Sequence, residues 1–472
     1  MYSTFAEELS SNLILIWCAI PLLISVLYAC GVEFLDSTSF WELIMRMIGY
    51  IGLIIGLFVL LSFVSHFGID VLNELSTKFS KITKKDYKLS VYNAANDKID
   101  RKTKALDFLP ILTLIIFLLW TLLSCAFSTS KYMAFNGDIF RNEGFMTYMS
   151  YAGYILLGLT ISNNSFLLKR IAVAFISVGT LLSVCVLLND IESLSVFINK
   201  CLYPNLHSSV FYNSNHFAYY LLLATLVTAF LYLTSDIDHH KLMFILVYVL
   251  FIYTIIINDT FGVYLALFLT LLVFSLFEFI KPKFGFKKVF VLLCLFLFVS
   301  IASLIVTKNV LINFYTFFGD AFSFGNYMVG ELNESEVASA GTGRGKLWIN
   351  SVRAILDRPI LGYGLDSGAN VFMAYGITMD RPHNMLLQMA LFTGVPGVIL
   401  YYSTYIIGIV RLLRRRSDLS KVACASTFLV LGYTISSAFG NSMFYTSPYY
   451  LIIFGICLSF CLNGINKADK VI

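Results

Sequence analysis

The sequence predicts an all-α, polytopic membrane protein of about twelve transmembrane helices, with one large extracytoplasmic loop that contains a short amphipathic helix. Hydrophobic residues make up 58% of the 472 residues and charged residues only 13%, whereas soluble domains average about 25% charged residues. The mean hydropathy is +0.80. Apolar runs of about 20 residues, the length that crosses a bilayer as a helix, recur along the whole chain.

The apolar runs predict twelve spans in a single integral membrane domain, residues 1–472. No run carries a charged residue near its midpoint, which argues against an ion-coupled transporter because such carriers use ionisable groups at depth. No Lys or Arg precedes the first run, so no cleavable signal peptide is expected. The predicted spans are Leu13–Cys30, Leu43–Phe67, Leu106–Ala126, Phe145–Ile161, Ile171–Leu188, His216–Thr234, Leu242–Ile257, Phe261–Ile280, Val289–Thr307, Met385–Leu413, Val422–Ala438 and Tyr449–Leu462.

The distribution of Lys and Arg predicts the orientation of the chain. One set of loops, together with the C-terminal tail, holds 23 of the 33 Lys and Arg residues, and the opposite set holds nine. Because cytoplasmic loops carry the excess of cations, we expect both termini to be cytoplasmic. Six of the nine outer cations lie in one loop, residues 308–384. A loop of that length is usually functional or disordered, and we expect this one to be folded and to carry the active site.

No metal or cofactor site is expected from the sequence. The nine cysteines include no C-x-x-C pair, so neither a zinc ribbon nor a disulfide framework is indicated. The spacing of His207, His216 and His383 matches no zinc-ligand pattern. Walker loops, dinucleotide fingerprints and nucleic-acid modules have no counterpart in the chain, and no nucleic-acid partner is expected.

The long outer loop contains an amphipathic helix. Apolar residues recur at three- and four-residue intervals and predict a helix over about Gly343–Asp357, with Thr342 as its cap and Pro359 as its end. The N-terminus of a helix attracts anions, and Arg344 and Lys346 add full charges there. We therefore expect this helix to cradle a diphosphate. The alternative is an interfacial helix whose basic side chains reach lipid headgroups.

His383 is the candidate general base. It lies in the Arg381-Pro382-His383-Asn384 stretch, directly before the tenth span. An imidazole, with an ordinary pKa of about 6.5, is the usual general base in enzymes. A His at the start of a helix is also an ordinary cap or a hydrogen-bonded surface residue, so the sequence leaves both interpretations open.

Two further outer stretches are polar. The first, Asn136–Tyr151, carries Arg141 and Glu143 at the mouth of the fourth span. The second, residues 212–218, places three polar side chains at the start of the sixth span: Asn213, Asn215 and His216. Amide side chains of this kind suit sugar hydroxyls, and they equally suit helix caps.

Several of these pieces occur together in a known family. They are Gly343-Arg344 with Trp348, Asp357-Arg358-Pro359 with Gly362-Tyr363-Gly364, His383-Asn384 with Gly394 and Gly397, and the Asn213–Ala218 turn. With about twelve spans and a large outer loop before the tenth, the chain resembles the O-antigen ligase and O-antigen polymerase superfamily of bacterial glycan transferases.

The resemblance implies a metal-independent glycosyltransferase without a cofactor. It would move a saccharide from an undecaprenyl-diphosphate carrier to a lipid- or surface-linked acceptor glycan, on the outer face of the bacterial cytoplasmic (inner) membrane. By position, His383 would activate the acceptor hydroxyl and Arg344 would bind the donor diphosphate. A single base and a direct displacement predict inversion at the anomeric carbon. The expected glycan contacts are Asn213, Asn215, His216, Trp348 and Asn384.

One departure from the family pattern concerns the donor site. The family often has Ser-Arg at the outer start of the span that matches Phe261–Ile280, whereas this chain has Asn258-Asp259-Thr260 there. We expect Arg141 or Arg381 to take the place of the missing arginine beside Arg344 and Lys346, or this member to bind its donor differently.

Three other functions remain open from the sequence. A repeat-unit polymerase of the same superfamily uses the same donor chemistry with a different acceptor. A polysaccharide or lipid transporter is disfavoured by the lack of charge at depth. A non-catalytic membrane scaffold would tolerate the loss of both His383 and Arg344.

The cation distribution makes a topological prediction. A C-terminal fusion to green fluorescent protein should fluoresce and a C-terminal alkaline phosphatase fusion should be inactive, because we expect the terminus in the cytoplasm. Phosphatase fused after Gly376, within the 308–384 loop, should be active. The reverse pattern at either site would contradict the predicted orientation.

Overall fold

The computed structural model of the protein describes residues 2–33, 38–59, 109–139, 141–189, 191–202, 208–211, 213–280, 282–306, 344–414, 420–441 and 443–462. This part of the chain is helical, and no strand occurs within it. Nine of its helices are long and apolar enough to cross a membrane, and two shorter apolar helices accompany them. The predicted all-α, polytopic membrane fold is confirmed.

The helices of the described residues are numbered here in chain order. They are α1 Tyr2–Ala29, α2 Thr38–Val59, α3 Leu109–Ala126, α4 Lys131–Asn136, α5 Phe145–Ile161, α6 Ser165–Asn189, α7 Glu192–Ile198, α8 Ser214–Thr234, α9 Asp238–Asn258, α10 Phe261–Ile280, α11 Phe286–Val306, α12 Arg344–Asp357, α13 Gly368–Met373, α14 Met385–Arg414, α15 Lys421–Ser437 and α16 Ser447–Leu462.

Eleven of the twelve predicted spans coincide with the nine candidate membrane helices and the two shorter apolar ones, α5 and α16. The remaining predicted span, Val422–Ala438, coincides with α15, which is not among them. Several helices extend beyond the apolar run that predicted them. The reason is that capping and packing of polar ends, which hydropathy does not register, set where a helix stops. The end of the second predicted span and the start of the third lie among residues 60–108, outside the described residues, as does the cation-rich loop 68–105. The side of the membrane on which the termini lie stays a prediction, and "outer" below denotes the side that is predicted to be extracytoplasmic.

The amphipathic helix of the outer loop is also found. It was predicted over Gly343–Asp357 and runs over Arg344–Asp357 as α12. Its apolar side, which includes Leu347 and Ile355, is buried, and α12 packs on α14. Residues 308–343, with the predicted cap Thr342, lie outside the described part of the chain.

Helix α5 lies at the centre of the bundle and crosses α16 closely. Most of its residues are buried. A Cβ added at Gly158 would overlap the carbonyl oxygen of Ile452, and one added at Gly455 would overlap that of Ile155. Small residues allow helix backbones to approach in this way inside a membrane. The crossing fixes the outer ends of α5 and α16 beside each other, where part of the candidate site lies.

Helix α14 is broken near its outer end. Gly394 has φ 73° and ψ 175°, and Pro396 follows it. Backbone groups released by a break inside a bilayer need partners within the protein. Trp120 of α3 donates from Nε1 to the carbonyl of Thr393 at 2.9 Å, and Ser124 donates to the carbonyl of Phe392 at 2.8 Å. The backbone carbonyl groups of Phe392 and Thr393 beside the break therefore have hydrogen-bond partners within the protein.

The segment 358–364 docks on this break. The N–H groups of Tyr363 and Gly364 donate to the carbonyls of Leu391 and Phe392 at 3.0 and 2.9 Å, and the N–H of Val395 donates to Pro359 at 2.8 Å. Gly362-Tyr363-Gly364 and the backbone around Gly394 are thus joined by these hydrogen bonds. Their function is to attach the outer loop to the span that follows it.

Gly394→Ala tests this contact. The added Cβ would overlap the carbonyl oxygen of Ile360, and the backbone angles suit only glycine, so we expect the free energy of unfolding to fall by about 1–3 kcal/mol. Gly408→Ala on the same helix is the control, because its Cβ meets only a Leu458 side chain at 3.5 Å. Thermal unfolding in detergent measures both. Equal melting temperatures for the two variants would show that the break carries no strain.

Candidate active site

Asp366 is the buried centre of the polar cluster at the outer end of the bundle. Its Oδ2 accepts the backbone N–H of Asp138 at 2.7 Å and that of Glu143 at 3.0 Å. Its Oδ1 accepts from Nη2 of Arg381 in an ion pair whose side chains are 3% and 0% exposed. One carboxylate therefore joins the α4–α5 loop, the segment after α12 and the segment before α14.

A second carboxylate extends the cluster towards the surface. The Asp380 carboxylate accepts hydrogen bonds from Nε and Nη2 of Arg141 at 2.6 and 3.2 Å. Its Oδ2 also lies 3.7 Å from Nε of Arg381. Burial works to raise the pKa of Asp380, but Arg141 and Arg381 outweigh it and hold that pKa below its usual range. Asp380 is thus an anion between two guanidinium groups, and the two pairs together are electrically balanced.

His383 follows this cluster in an uncommon backbone conformation. Its φ is 52°, in the left-handed region that non-glycine residues seldom adopt and that often marks functional sites. Its Nδ1 lies 3.3 Å from the Asn441 amide nitrogen. Burial and the neighbouring Arg344 lower its pKa from 6.5 to about 4, with Asp380 opposing them. His383 is therefore a neutral imidazole at pH 7.

Arg344 reaches the same turn as His383. Its Nη1 donates to the carbonyl of Phe439 at 3.1 Å, two residues before the Asn441 that contacts His383. Trp348, one helical turn further along α12, donates from Nε1 to the carbonyl of Pro382 at 2.8 Å. The 439–441 turn and α12 thus bring the predicted base and the predicted diphosphate ligand together, although 38 residues separate them in the chain.

The predicted cations differ in how accessible they are. Arg344 and Arg141 are partly exposed and Lys346 is exposed, whereas Arg381 is wholly buried. The Nε and Nη1 atoms of Arg381 have no hydrogen-bond partner among the described residues. Of the four cations predicted to bind the donor, Arg381 is therefore the one enclosed by protein.

Two of the three predicted sugar-binding amides, Asn384 and Asn213, act as helix caps. The side-chain oxygen of Asn384 accepts the N–H groups of Leu386 and Leu387 at 3.0 and 3.1 Å. That of Asn213 accepts the N–H of Asn215 at 2.9 Å. The cap was one of the two interpretations that the sequence allowed. Each cap uses the amide oxygen and leaves the amide nitrogen as the group for a ligand.

His216 lies deeper, in the first turn of α8. It is buried, with its ring 5.5 Å from that of Tyr445. Its Nδ1 has no hydrogen-bond partner in the described part of the protein. Buried polar atoms normally have one, so this nitrogen is available to a polar ligand. His207 lies outside the described residues.

The turn that lacks the family's arginine also lies beside this site. Asp259 adopts a left-handed conformation after α9, with φ 61°. A Cβ added at Gly262, at the start of α10, would overlap the side chain of Phe439, whose carbonyl holds Arg344. The start of α10, close to the position where the family often has its arginine, thus contacts the turn that holds Arg344 in this chain.

Sequence reasoning missed four members of the site: Asp366, Asp380, Phe439 and Asn441. None falls in a periodic pattern, and each contributes through a contact with residues far away in the chain. Asp366 follows Gly364 closely, and Asp380 adjoins Arg381, which are the signals that could have indicated them. Glu143 was noticed beside Arg141 but was given no function.

Two comparisons with known proteins agree with this geometry. Residues 246–402, a third of the chain, match the family model described as O-antigen ligase. They include α12, Arg344, His383 and the break in α14. An O-antigen ligase of Pseudomonas aeruginosa is 28% identical over 99 residues, which are 21% of this chain and 24% of that protein. This chain thus spans about a quarter of the length of the relative that it matches.

Replacing Arg381 tests the buried ion pair. Arg381→Met should lower the free energy of unfolding by about 3–5 kcal/mol, since it leaves the Asp366 carboxylate buried without its partner. Lys241→Met is the matched control, because the Lys241–Asp238 pair at 3.0 Å has an Asp side chain that is 96% exposed, and such pairs contribute about 0–1 kcal/mol. Thermal unfolding in detergent gives both values. Similar small losses would mean that the buried pair does not hold the cluster together.

Proposed function

We propose that this chain is an O-antigen ligase-like membrane enzyme, an inverting glycosyltransferase that uses an undecaprenyl-diphosphate-linked donor. The match of residues 246–402 to the family model described as O-antigen ligase supports this proposal. The acceptor is a glycan at the outer face of the bacterial cytoplasmic membrane. The observation that carries the proposal is the meeting of Arg344 and the neutral His383 on the 439–441 turn. This turn holds a cation and a proton acceptor near the N-terminal end of α14.

His383 is proposed to take the proton of the acceptor hydroxyl. Its lowered pKa keeps the ring unprotonated at neutral pH, which is the state that a base needs. Asn441 sets the tautomer. When its amide oxygen faces Nδ1, that nitrogen carries the ring proton and Nε2 is the basic atom. When its amide nitrogen faces Nδ1, Nε2 carries the proton instead. The structure places the amide nitrogen at Nδ1 and leaves the amide oxygen of Asn441 without a partner among the described residues. Base catalysis at Nε2 therefore requires the flipped amide, in which the oxygen faces Nδ1.

Arg344 is proposed to hold the donor diphosphate. A guanidinium has five N–H donors in a planar fork, so Arg344 can donate to the Phe439 carbonyl and to a phosphate at once. The interaction is strongest on the leaving group, where negative charge develops as the glycosidic bond breaks. Lys346 and Arg141 are the supporting cations on the exposed side.

Arg381 receives a different assignment from the one that its charge suggested. Its guanidinium is buried and paired with Asp366, so a diphosphate would have to displace protein to reach it. We assign it to positioning His383, two residues further along, and assign diphosphate binding to Arg344, Lys346 and Arg141.

The proposed reaction is a single displacement. The acceptor oxygen loses its proton to His383 and attacks the anomeric carbon from the face opposite the diphosphate. The bond from that carbon to the diphosphate oxygen breaks, and the electron pair leaves with the diphosphate, held by Arg344. The configuration at the anomeric carbon is thereby inverted. Retained configuration in the product would contradict this sequence of steps.

The acceptor is proposed to bind on the side of Trp348. The indole holds the Pro382 carbonyl and is partly exposed beside His383. The other proposed sugar contacts are Asn213, Asn215, His216 and Asn384. A polymerase, in which the acceptor is itself a lipid-linked repeat unit, uses the same donor chemistry. Product length distinguishes them, because a ligase attaches its glycan once and a polymerase extends the chain.

His383→Ala and Arg344→Ala test the assignment. We expect transfer of lipid-linked glycan in proteoliposomes to fall by about 10²–10⁴-fold without the base and by about 10²–10³-fold without the cation. Arg353→Ala is the control, because Arg353 is an exposed cation on the same helix. Its transfer rate should be unchanged. Normal transfer by correctly inserted His383 and Arg344 variants would rule out this site.

A further inference from the structure

Glu143 is a buried carboxyl that the proposed chemistry does not use. It is 2% exposed and lies between Arg381 and the end of α5. Its Oε1 accepts a hydrogen bond from the Tyr151 hydroxyl, and the backbone N–H of Phe444 also donates to its carboxyl group. These hydrogen bonds hold the carboxyl group in position, and it interacts electrostatically with Arg381.

Glu143 also lines a cleft within the helix bundle. The cleft has a volume of about 570 Å³ including its open mouth, and it lies among α3, α5, α14 and α16. Its walls are mainly apolar and include Leu114, Phe117, Ile155 and Leu451. An apolar wall favours the neutral form of a carboxyl group. Burial accordingly raises the pKa of Glu143 to about 7, although Arg381 and the Tyr151 hydrogen bond oppose the change.

The groups that face Glu143 come from every element packed around it. The charged ones are Arg381, which favours its ionised form, and Asp366, which disfavours it. The walls contributed by α3 carry no ionisable side chain in the cleft. The remaining titratable or hydroxyl groups are Tyr148 and Tyr151 of α5, Tyr401, Thr404 and Tyr405 of α14, and Ser447 and Tyr450 of α16.

The state of Glu143 decides the charge of the whole cluster. Arg141, Arg381, Asp366 and Asp380 form two ion pairs that share Asp380 as a neighbour, so their charges cancel. With Glu143 neutral, the five groups have no net charge. With Glu143 ionised, they carry one negative charge next to the cations proposed to bind a diphosphate.

We propose that donor binding at this site is linked to a proton on Glu143: the site binds a lipid diphosphate with Glu143 protonated and takes up a proton when Glu143 is ionised beforehand. The proposal rests on the function proposed above. Glu143 is a positioning residue in this scheme, since it acts through Arg381 and the network and does not touch the reacting atoms.

The direction of the pH dependence follows from the charges. Below pH 7 Glu143 is neutral and the diphosphate meets a balanced site. As the pH rises above 7 Glu143 ionises, and like charges then oppose each other. For linkage to one proton, donor affinity falls by at most about tenfold for each pH unit. A sugar-capped diphosphate has no proton that titrates near neutrality, so the change in donor affinity reports on the protein.

The test measures protons taken up on binding. Undecaprenyl diphosphate is titrated into the full-length protein by calorimetry at pH 7.5, in two buffers that differ in ionisation enthalpy. We expect the wild-type protein to take up more protons than Glu143→Gln, whose side chain is a neutral mimic of the protonated acid. The difference between the two proteins removes the titration of the probe itself. The affinity of Glu143→Gln should also vary less between pH 6.5 and 8.5.

Two variants complete the experiment. Tyr151→Phe removes a hydrogen bond to the ionised carboxylate, so its proton uptake should move to higher pH. Asp238→Asn, which alters an exposed carboxylate at the other end of α9 from the site, should behave as wild type. Equal proton uptake by wild type and Glu143→Gln overturns the linkage while leaving the proposed function intact. Absence of binding by the wild type contradicts the proposed donor and the linkage together.

Discussion

The buried ion pair between Asp366 and Arg381 is the interaction on which the outer site depends. Charges are costly to remove from water, and further hydrogen bonds to the paired groups help to offset that cost. On the Asp366 side these bonds come from the N–H groups of Asp138 and Glu143. Three segments that are far apart in the chain are thereby held at one point, and His383 follows from that point by two residues.

The break in α14 does the same for the other side of the loop. A continuous helix would satisfy its own backbone and would offer nothing to the segment that precedes it. At Gly394 the helix exposes carbonyl groups, and residues 359–364 occupy them with their own N–H groups. The outer loop is thus attached to the membrane span by backbone hydrogen bonds. This attachment gives a physical role to Gly362, Gly364 and Gly394.

The site shifts the pKa values of two groups in opposite directions: the pKa of His383 is lowered and that of Glu143 is raised. Burial lowers the pKa of His383 most, and the charges of Arg344, Arg141 and Arg381 lower it further. Glu143 faces an apolar cleft, and burial there outweighs the same Arg381. Near neutral pH His383 is therefore uncharged, and Glu143 is close to the midpoint of its titration. Pairs of groups tuned apart by their surroundings are typical of sites that exchange protons.

The sequence alone determined the membrane class, the position of most spans and the amphipathic helix α12, because these depend on local hydrophobicity and on its periodicity. It also indicated Arg344, Trp348 and His383, which stand out as polar residues beside long apolar runs. It did not determine which cation is accessible: Arg141 and Arg381 look alike in the sequence, and only packing encloses one of them. Asp366, Asp380 and Asn441 were decided by tertiary structure, since a carboxylate or amide gains its function from partners that arrive from distant segments. Hydropathy specifies which residues leave water, and the fold specifies which of the remaining polar groups meet.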